Sequence, residues 1–452
     1  MGGRGDGDAR SEPAVEALTQ RQRNWLIAIL VVAAGARFFW AFYANRGAPA
    51  SAVLSGDAYS YWYYGNELAD GHGYVSYVTG EPTAYYPIGY PALLAGLFWF
   101  VGHTPIPDNL PLTTNLVQAV IGTLSVALVF VIGRAVFGPR VGLVAAGITA
   151  VWPNLVFYTA AFMVETSFIF LVLAAVAVLA THHWSTGPPD WLRLGVFGAV
   201  LGLSALVRPF SLLFLVGLVV ALVVTSGWRR ALVGLGWTAL PIVVLITPWT
   251  VRNIVVMDSP VVFSTNMGDT LCIDRSLDAT GAFRFSTHDG CVSPDKSEVA
   301  RNSGNTRKAI SFVVEHPERE IQQIFKRAWY MGKSDHDGLG EAENKTGGSF
   351  LGQRVRTTLA HTADWYFYAV LPLAAVGFVA FFRGRRPARL FVGIAGLSLV
   401  VVPLGLWGNP RFHVPALPFL ALAAAVPVVH VWSRRRTVSV EHREELEPAR
   451  TR

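Results

Sequence analysis

Asp57 follows Gly56 and precedes Ala58-Tyr59 in a stretch where Asp57, Glu67, Asp70, Glu81 and Asp108 stand against a single cation, Arg46. A carboxylate held just beyond an apolar span can take a proton from a hydroxyl, and its cost there invites a functional explanation. The alternative is an N-cap on the short helix that follows. Glu165, in Phe162-Met163-Val164-Glu165-Thr166, is a second acid among apolar neighbours. It either works with Asp57 or faces interfacial water as a first-turn partner of a helix dipole. Arg208 precedes Pro209, Arg252 lies in Thr250-Val251-Arg252-Asn253, and Arg411 lies in Asn409-Pro410-Arg411-Phe412-His413. A planar guanidinium at a span end suits bidentate phosphate binding, with snorkelling to headgroups as the other reading. His413 either adds a donor to that phosphate or serves as a cap or packing residue. A base, several cations and an apolar setting suit attack by a hydroxyl on a carbon whose leaving group is a lipid phosphate.

These residues need a membrane scaffold. The chain has 452 residues, 52% hydrophobic and 15% charged, with a mean hydropathy of +0.40, far more apolar surface than one soluble core requires. The apolar runs are long enough to cross a hydrocarbon core of about 30 Å as helices. An all-α polytopic membrane protein is expected, with about ten spans near 25–43, 113–133, 141–158, 163–182, 192–207, 209–226, 231–249, 364–382, 389–406 and 413–432. Arg21, Arg23, Arg134, Arg140, Arg193, Arg229, Arg230, Arg383, Arg385, Arg386 and Arg434 to Arg436 then fall on one side, which places both termini in the cytoplasm. The net charge of +7 follows from that bias, and no basic stripe points to nucleic acid.

The organisation expected is a disordered cytoplasmic tail over 1–20, a transmembrane module over 21–249 with its first outer loop at 44–112, an extracytoplasmic segment over 250–363, transmembrane helices over 364–433 and a cytoplasmic tail over 434–452. In the first loop, 57–69 and 88–101 read as interfacial helices framing a cavity mouth. Tyr59, His72, Tyr85, Tyr86 and Tyr90 would line a groove for donor and acceptor. The second segment reads as small and mixed: a strand or extended stretch at 258–266, helices over 305–315 and 317–330, and a mobile loop over 333–349 whose acidic residues are solvated surface. Cys272 and Cys291 are the only cysteines, and a disulfide is the favoured reading of a pair in an oxidising compartment, free thiols the alternative. No cofactor is specifically implied. A divalent cation on Asp57, Glu81, Glu165 or a histidine is left open, although no ligand spacing supports it.

The ordered set Gly56-Asp57-Ala58-Tyr59, Ala69-Asp70-Gly71-His72-Gly73-Tyr74, Pro82-Thr83-Ala84 through Tyr90-Pro91, Glu165-Thr166, Arg208-Pro209, Pro248-Trp249-Thr250-Val251-Arg252-Asn253 and Arg411-Phe412-His413-Val414-Pro415 resembles the GT-C superfamily. Within it the chain is similar to the bacterial polyprenyl-phosphate-sugar-dependent glycosyltransferases of the protein O-mannosyltransferase and aminoarabinose transferase kind. The resemblance implies inverting transfer at the outer face of the cytoplasmic membrane. Asp57 would stand in place of the first-loop catalytic aspartate, and arginines such as Arg252 and Arg411 would hold the lipid phosphate. The partners it implies are a polyprenyl-phosphate sugar, membrane lipids and a lipid, glycan or protein acceptor. A transporter or flippase of a polyprenyl-linked substrate is the competing class, and it would want charges at mid-membrane. An inactive membrane scaffold comes last, since it gives the outer arginines no purpose.

Overall fold

The computed structural model describes residues 17–46, 54–104, 109–283, 291, 297–344 and 350–446. Most of the expected N-terminal tail, together with Asp108, lies outside them. Along the chain run α1 (Gln20–Ala44), α2 (Gly56–Ala69), α3 (Gly89–Gly102), α4 (Leu110–Phe137), α5 (Pro139–Ala150), α6 (Pro153–Phe157), α7 (Glu165–Ala180), α8 (Trp191–Val207), α9 (Phe214–Ser226) and α10 (Trp228–Met257). There follow α11 (Met267–Cys272), α12 (Glu298–Glu315), α13 (Pro317–Gly332), α14 (Asp337–Asn344), α15 (Gln353–Phe382), α16 (Pro387–Val401) and α17 (Leu417–Leu446).

Helix starts follow local chemistry. Thr19 and Gln22 form a capping box at α1, with Gln22 N donating to Thr19 Oγ1 at 3.2 Å and Thr19 N to Gln22 Oε1 at 3.0 Å. Such a cap is worth about 1 kcal/mol. Asn109 and Asp190 accept from the third residue on at α4 and α8, and Pro139, Pro153, Pro317 and Pro387 occupy first-turn positions where a missing N–H costs nothing.

All ten expected apolar segments are helical. Among the described residues seven helices qualify as spans by length and composition, or eight if the pair α5 and α6, bent by 61°, is one span. The remaining two expected spans, α7 and α8, are shorter apolar helices. Pro153, which has no N–H to give the preceding turn, breaks the helix at the bend, and Arg37 satisfies the carbonyls this leaves. Arg37 of α1 is buried and donates to Ala150 O at 2.9 Å and to Thr149 O at 3.3 Å, supplying donors to carbonyls at the broken end of α5. Glycine permits the closest helix contacts: a Cβ on Gly198 of α8 would collide with Thr238 O of α10, and one on Gly377 of α15 with Ala423 O of α17. The main buried cluster draws on α4, α5, α7, α8, α9, α16 and α17.

Connectivity gives the bundle two ends. The helix termini near Arg21, Arg134, Arg140, Arg193, Arg229, Arg383 and Arg434 form a basic end, and the segments 44–110 and 258–352 both emerge at the other, the loop end. In the first of these, the two stretches expected as helices are α2 and α3, and they pack against each other. The second departs from expectation. Among the described residues it contains no strand: 258–266 is turn and extended chain, and the only pairing in the region is an isolated bridge between Ala282 and Gly408. The expected helices run over α12 and α13. Cys272 and Cys291 are disulfide-bonded.

Residues 333–344 are not the solvated loop that their Gly, Asp and Lys content suggests. Leu339 and Ala342 of α14 are buried with Trp40 of α1 and Phe157 of α6, and Asp335 is fully buried. Residues 345–349, the rest of that expected loop, lie outside the described set. Asp335 accepts from Trp152 Nε1 at 2.6 Å, Asn154 Nδ2 at 2.7 Å and His413 Nε2 at 2.9 Å, and three donors of that kind offset the desolvation of a carboxylate.

Candidate active site

Asp57, Glu165, Arg208 and Arg411 meet at the loop end, brought there by four separate elements. Gly56 turns the chain into α2 with φ +58°, a left-handed value that favours glycine. Asp57 therefore stands in the first turn of α2 without capping it: its carboxylate is taken by side chains from elsewhere. Arg411 Nη1 lies 2.5 Å from Asp57 Oδ2, and Tyr86 donates its hydroxyl to Asp57 Oδ1 at 2.6 Å.

Glu165 opens α7 and is fully buried. Its Oε1 receives Arg411 Nε at 2.5 Å and also pairs with Arg208 Nη2. Arg208 sits where α8 ends before Pro209, and its guanidinium also lies over the rings of Phe168 and Phe210. Arg411 begins the turn before α17, where Asn409 Oδ1 accepts from its backbone N–H at 2.8 Å. Two carboxylates and two guanidiniums thus alternate in one cluster, the arrangement that lets charges stay ionised at the edge of an apolar bundle.

Three polar atoms of this cluster have no protein partner: Glu165 Oε2, Arg208 Nη1 and the Tyr90 hydroxyl. All three are enclosed, buried polar groups that the described protein leaves unsatisfied. Asp57 is enclosed yet open on one side, with 34% of its side chain accessible. Burial pushes its carboxyl up, but the Arg411 guanidinium, the Tyr86 hydroxyl and the more distant Arg208 outweigh that and hold it below the ordinary carboxylate value. The Tyr86 hydroxyl is pushed the other way, by burial and by the Asp57 charge, and stays protonated.

The aromatic residues divide. Tyr86 and Tyr90 are at the site, both edge-on to Tyr61 at 5.2 and 5.3 Å. Tyr85 points to the second segment, donating to Asp269 Oδ2 at 3.0 Å. Tyr59 packs with Trp62, Tyr63 and Tyr77 away from Asp57. His72 is exposed and pairs with Glu67 at 3.3 Å.

Two of the expected phosphate ligands are engaged elsewhere. Arg252 donates to Thr83 O and Tyr74 O, both at 2.7 Å, and lies over the Trp249 ring. A guanidinium fork matches two carbonyls as well as it matches a phosphate, and here it holds the loop that carries Tyr86. His413 is buried between Met331 O, 2.6 Å from Nδ1, and Asp335 Oδ1, 2.9 Å from Nε2, with its ring stacked on Phe367. It fixes the turn two residues beyond Arg411.

Sequence reasoning did not assign Tyr61, Asp335 or Asp337 to the site. Asp337 accepts from Asn154 Nδ2 at 2.9 Å and from the Tyr158 hydroxyl. Burial raises its carboxyl above the usual range, despite the lowering effect of His413, Tyr158 and Asn154. The signal was Asp335-His336-Asp337 itself, three titratable residues in a row. Among the described residues no group of three or more His, Cys, Asp or Glu side chains could hold a metal ion.

Residues 98–251, about a third of the chain, match the family model of dolichyl-phosphate-mannose-protein mannosyltransferases. The fold is similar to that of the Archaeoglobus fulgidus oligosaccharyltransferase, solved in complex with zinc and sulfate, at 15% identity and a TM-score of 0.53 over 91% of this chain. The apo form of the same archaeal enzyme gives 14% identity and a TM-score of 0.51 over 93% of the chain. The chain spans about half the length of those structures, 50% and 53% respectively. No curated protein matches it in sequence. The family match covers α4 to α9 and most of α10, with Glu165 and Arg208, and leaves Asp57 and Arg411 outside.

Proposed function

We propose that the chain is an inverting glycosyltransferase that moves a sugar from a polyprenyl-phosphate donor to an acceptor hydroxyl. The observation that carries this reading is the Arg411 guanidinium bridging Asp57 and Glu165, with Arg208 on the far side of Glu165. One reachable base and two cations at the edge of an apolar bundle are the parts such a reaction needs. The family match, to dolichyl-phosphate-mannose-protein mannosyltransferases, supports a lipid-phosphate donor of that class.

In this mechanism Asp57 takes the acceptor's proton as the acceptor oxygen bonds to the anomeric carbon. The bond from that carbon to the phosphate oxygen breaks with its electron pair on the phosphate. Arg208 and Arg411 stabilise the departing phosphate, and no general acid is needed for so good a leaving group. Glu165 orients the two arginines. A phosphate competing for Arg411 loosens its hold on Asp57 and so raises the basicity of that carboxylate when the donor is in place. Tyr86 and Tyr90 flank the sugar, and the prenyl chain runs along apolar helix surface beside the site.

The basic end of the bundle faces the cytoplasm in this reading, and the loop end lies on the outer side of the cytoplasmic membrane. The acceptor, a lipid, glycan or protein, meets the segment that contains the disulfide.

The test is transfer from a panel of radiolabelled polyprenyl-phosphate sugars by the purified protein in nanodiscs supplied with membrane glycans and lipids. Label entering a new product supports the reading and names the donor. Donor binding and translocation across the bilayer with no transfer overturns it in favour of a flippase.

A further inference from the structure

Helix α13 is amphipathic in the wrong sense for a water-soluble segment. Its buried side is polar: Gln323 and Arg327 are 3% and 0% exposed, and Arg327 is paired with Asp274 and Glu320, both at 2.6 Å. Gln323 donates to Ala279 O at 2.7 Å. The outward side carries Ile321, Ile324, Phe325, Ala328 and Trp329, with Ile321, Phe325 and Trp329 59%, 72% and 69% exposed. At helical spacing these five cover an arc of about 140°, wide enough to be a packing face. Ile310 and Val314 of the preceding helix α12 are exposed as well.

The level of this face is fixed by the helices that cross the bilayer. Helix α13 packs on the turns 402–405 and 410–416, at the loop ends of α16 and α17, and Arg327 Nη1 donates to Leu404 O at 3.1 Å. Its C-terminus is tied down twice, by His413 to Met331 O and by the Tyr368 hydroxyl of α15 to Lys333 O at 2.6 Å. Trp365 and Tyr368 of α15 are themselves exposed at that level, where an aromatic belt marks the headgroup boundary. The stripe therefore lies close to the exposed aromatic residues of α15.

We propose that α13 is a monotopic membrane helix whose apolar stripe is seated in the acyl and headgroup boundary of the leaflet at the loop end, with Lys326 and Lys333 reaching the lipid phosphates. The occupant of the face is bilayer lipid. Ion pairs hold the polar side of α13 to the protein while lipid covers the other side, which is the reverse of a helix on an aqueous domain. The consequence is mechanical: the segment with the disulfide is held against the membrane beside Arg411. This holds whether or not the chain transfers sugar.

The experiment places single cysteines at Phe325, Trp329 and Arg319, an exposed residue off the stripe, in the full chain with Cys272 and Cys291 oxidised. Each is labelled with bimane and reconstituted in phosphatidylethanolamine and phosphatidylglycerol vesicles, with or without phosphatidylcholine bearing a doxyl group on the fifth acyl carbon. The expected result is several-fold stronger quenching by the doxyl lipid at 325 and 329 than at 319, with the order reversed for aqueous iodide. Iodide quenching at 325 and 329 equal to that at 319 overturns the proposal. So does protection of 325 and 329 from both quenchers, which would mean a second copy or another protein covers the stripe. Trp329 and Phe325 report independently, so misfolding of one variant leaves the other to decide.

Discussion

Arg411 Nη1 lies 2.5 Å from Asp57 Oδ2 across 354 residues of chain, and the same guanidinium reaches Glu165 through Nε. One side chain thus holds the start of α2 to the start of α7. Replacing it with Gln leaves Asp57 without its cation and Glu165 with Arg208 alone. Arg411→Gln is expected to cost about 3 kcal/mol, the scale for breaking a buried pair, and to abolish transfer. Thermal unfolding in detergent checks the first part; an unchanged unfolding temperature would show that the bridge contributes nothing to the fold.

Tyr86→Phe removes one hydrogen bond to the ionised Asp57 and keeps the ring packed on Tyr61. The Asp57 carboxyl sits below its ordinary value, so the protein is stabilised by its ionisation above the unfolded pKa near 3.9, and that contribution is lost as pH falls through the lower folded value. As the base of the proposed transfer, Asp57 is then ionised throughout the neutral range. In Tyr86→Phe its pKa rises, because a hydrogen bond that favours the charged form is lost. The acidic limb of the pH–rate profile should move to higher pH while the alkaline side stays put. A limb that does not move means the titrating base is another group.

Asp335→Asn exchanges a carboxylate for an amide in front of three donors, from Trp152, Asn154 and His413. The amide NH2 can face only donors there. We expect a loss of about 2–4 kcal/mol, with transfer lowered further because His413 fixes the turn that presents Arg411. Chemical denaturation measures the first and steady-state kinetics the second; a variant of wild-type stability would show that the network is dispensable.

The Cys272–Cys291 bond closes a loop with a sequence separation of 19 residues, for which the chain-entropy model gives about 3 kcal/mol. Reduction, or Cys272→Ser with Cys291→Ser, should lower the resistance of the 258–352 segment to limited proteolysis while leaving the membrane helices intact. Equal cleavage rates before and after reduction would contradict this.

The site was legible where charge and membrane conflict. Asp57, Glu165, Arg208 and Arg411 each stand at the end of an apolar run, where a charge is costly, and all four converge. The same rule also selected Arg252 and His413, and there it could not tell a ligand for phosphate from a ligand for backbone carbonyls, because the donor geometry is shared. Which acid meets which arginine was not legible, since it depends on how α2, α7 and the turns at 208 and 411 pack. The 333–344 stretch misled for a related reason. Its Gly, Asp and Lys content favours a loop, and the donors that bury Asp335 come from Trp152 and Asn154, 183 and 181 residues away. The ten apolar segments were plain from hydropathy. Hydropathy could not show that α7 and α8 are short, or that Arg37 stabilises the break between α5 and α6.

The most direct test of the account is the transfer rate of Asp57→Asn against wild type, with the donor that the wild type uses, in nanodiscs at neutral pH. Asn keeps the size and an acceptor oxygen for Tyr86, so the protein should fold and still bind the lipid phosphate through Arg208 and Arg411. The account predicts a fall in the transfer rate of about 10²–10⁴-fold, the usual worth of a positioned base, with donor affinity little changed. Transfer within a fewfold of wild type would contradict the assignment of Asp57 as the base.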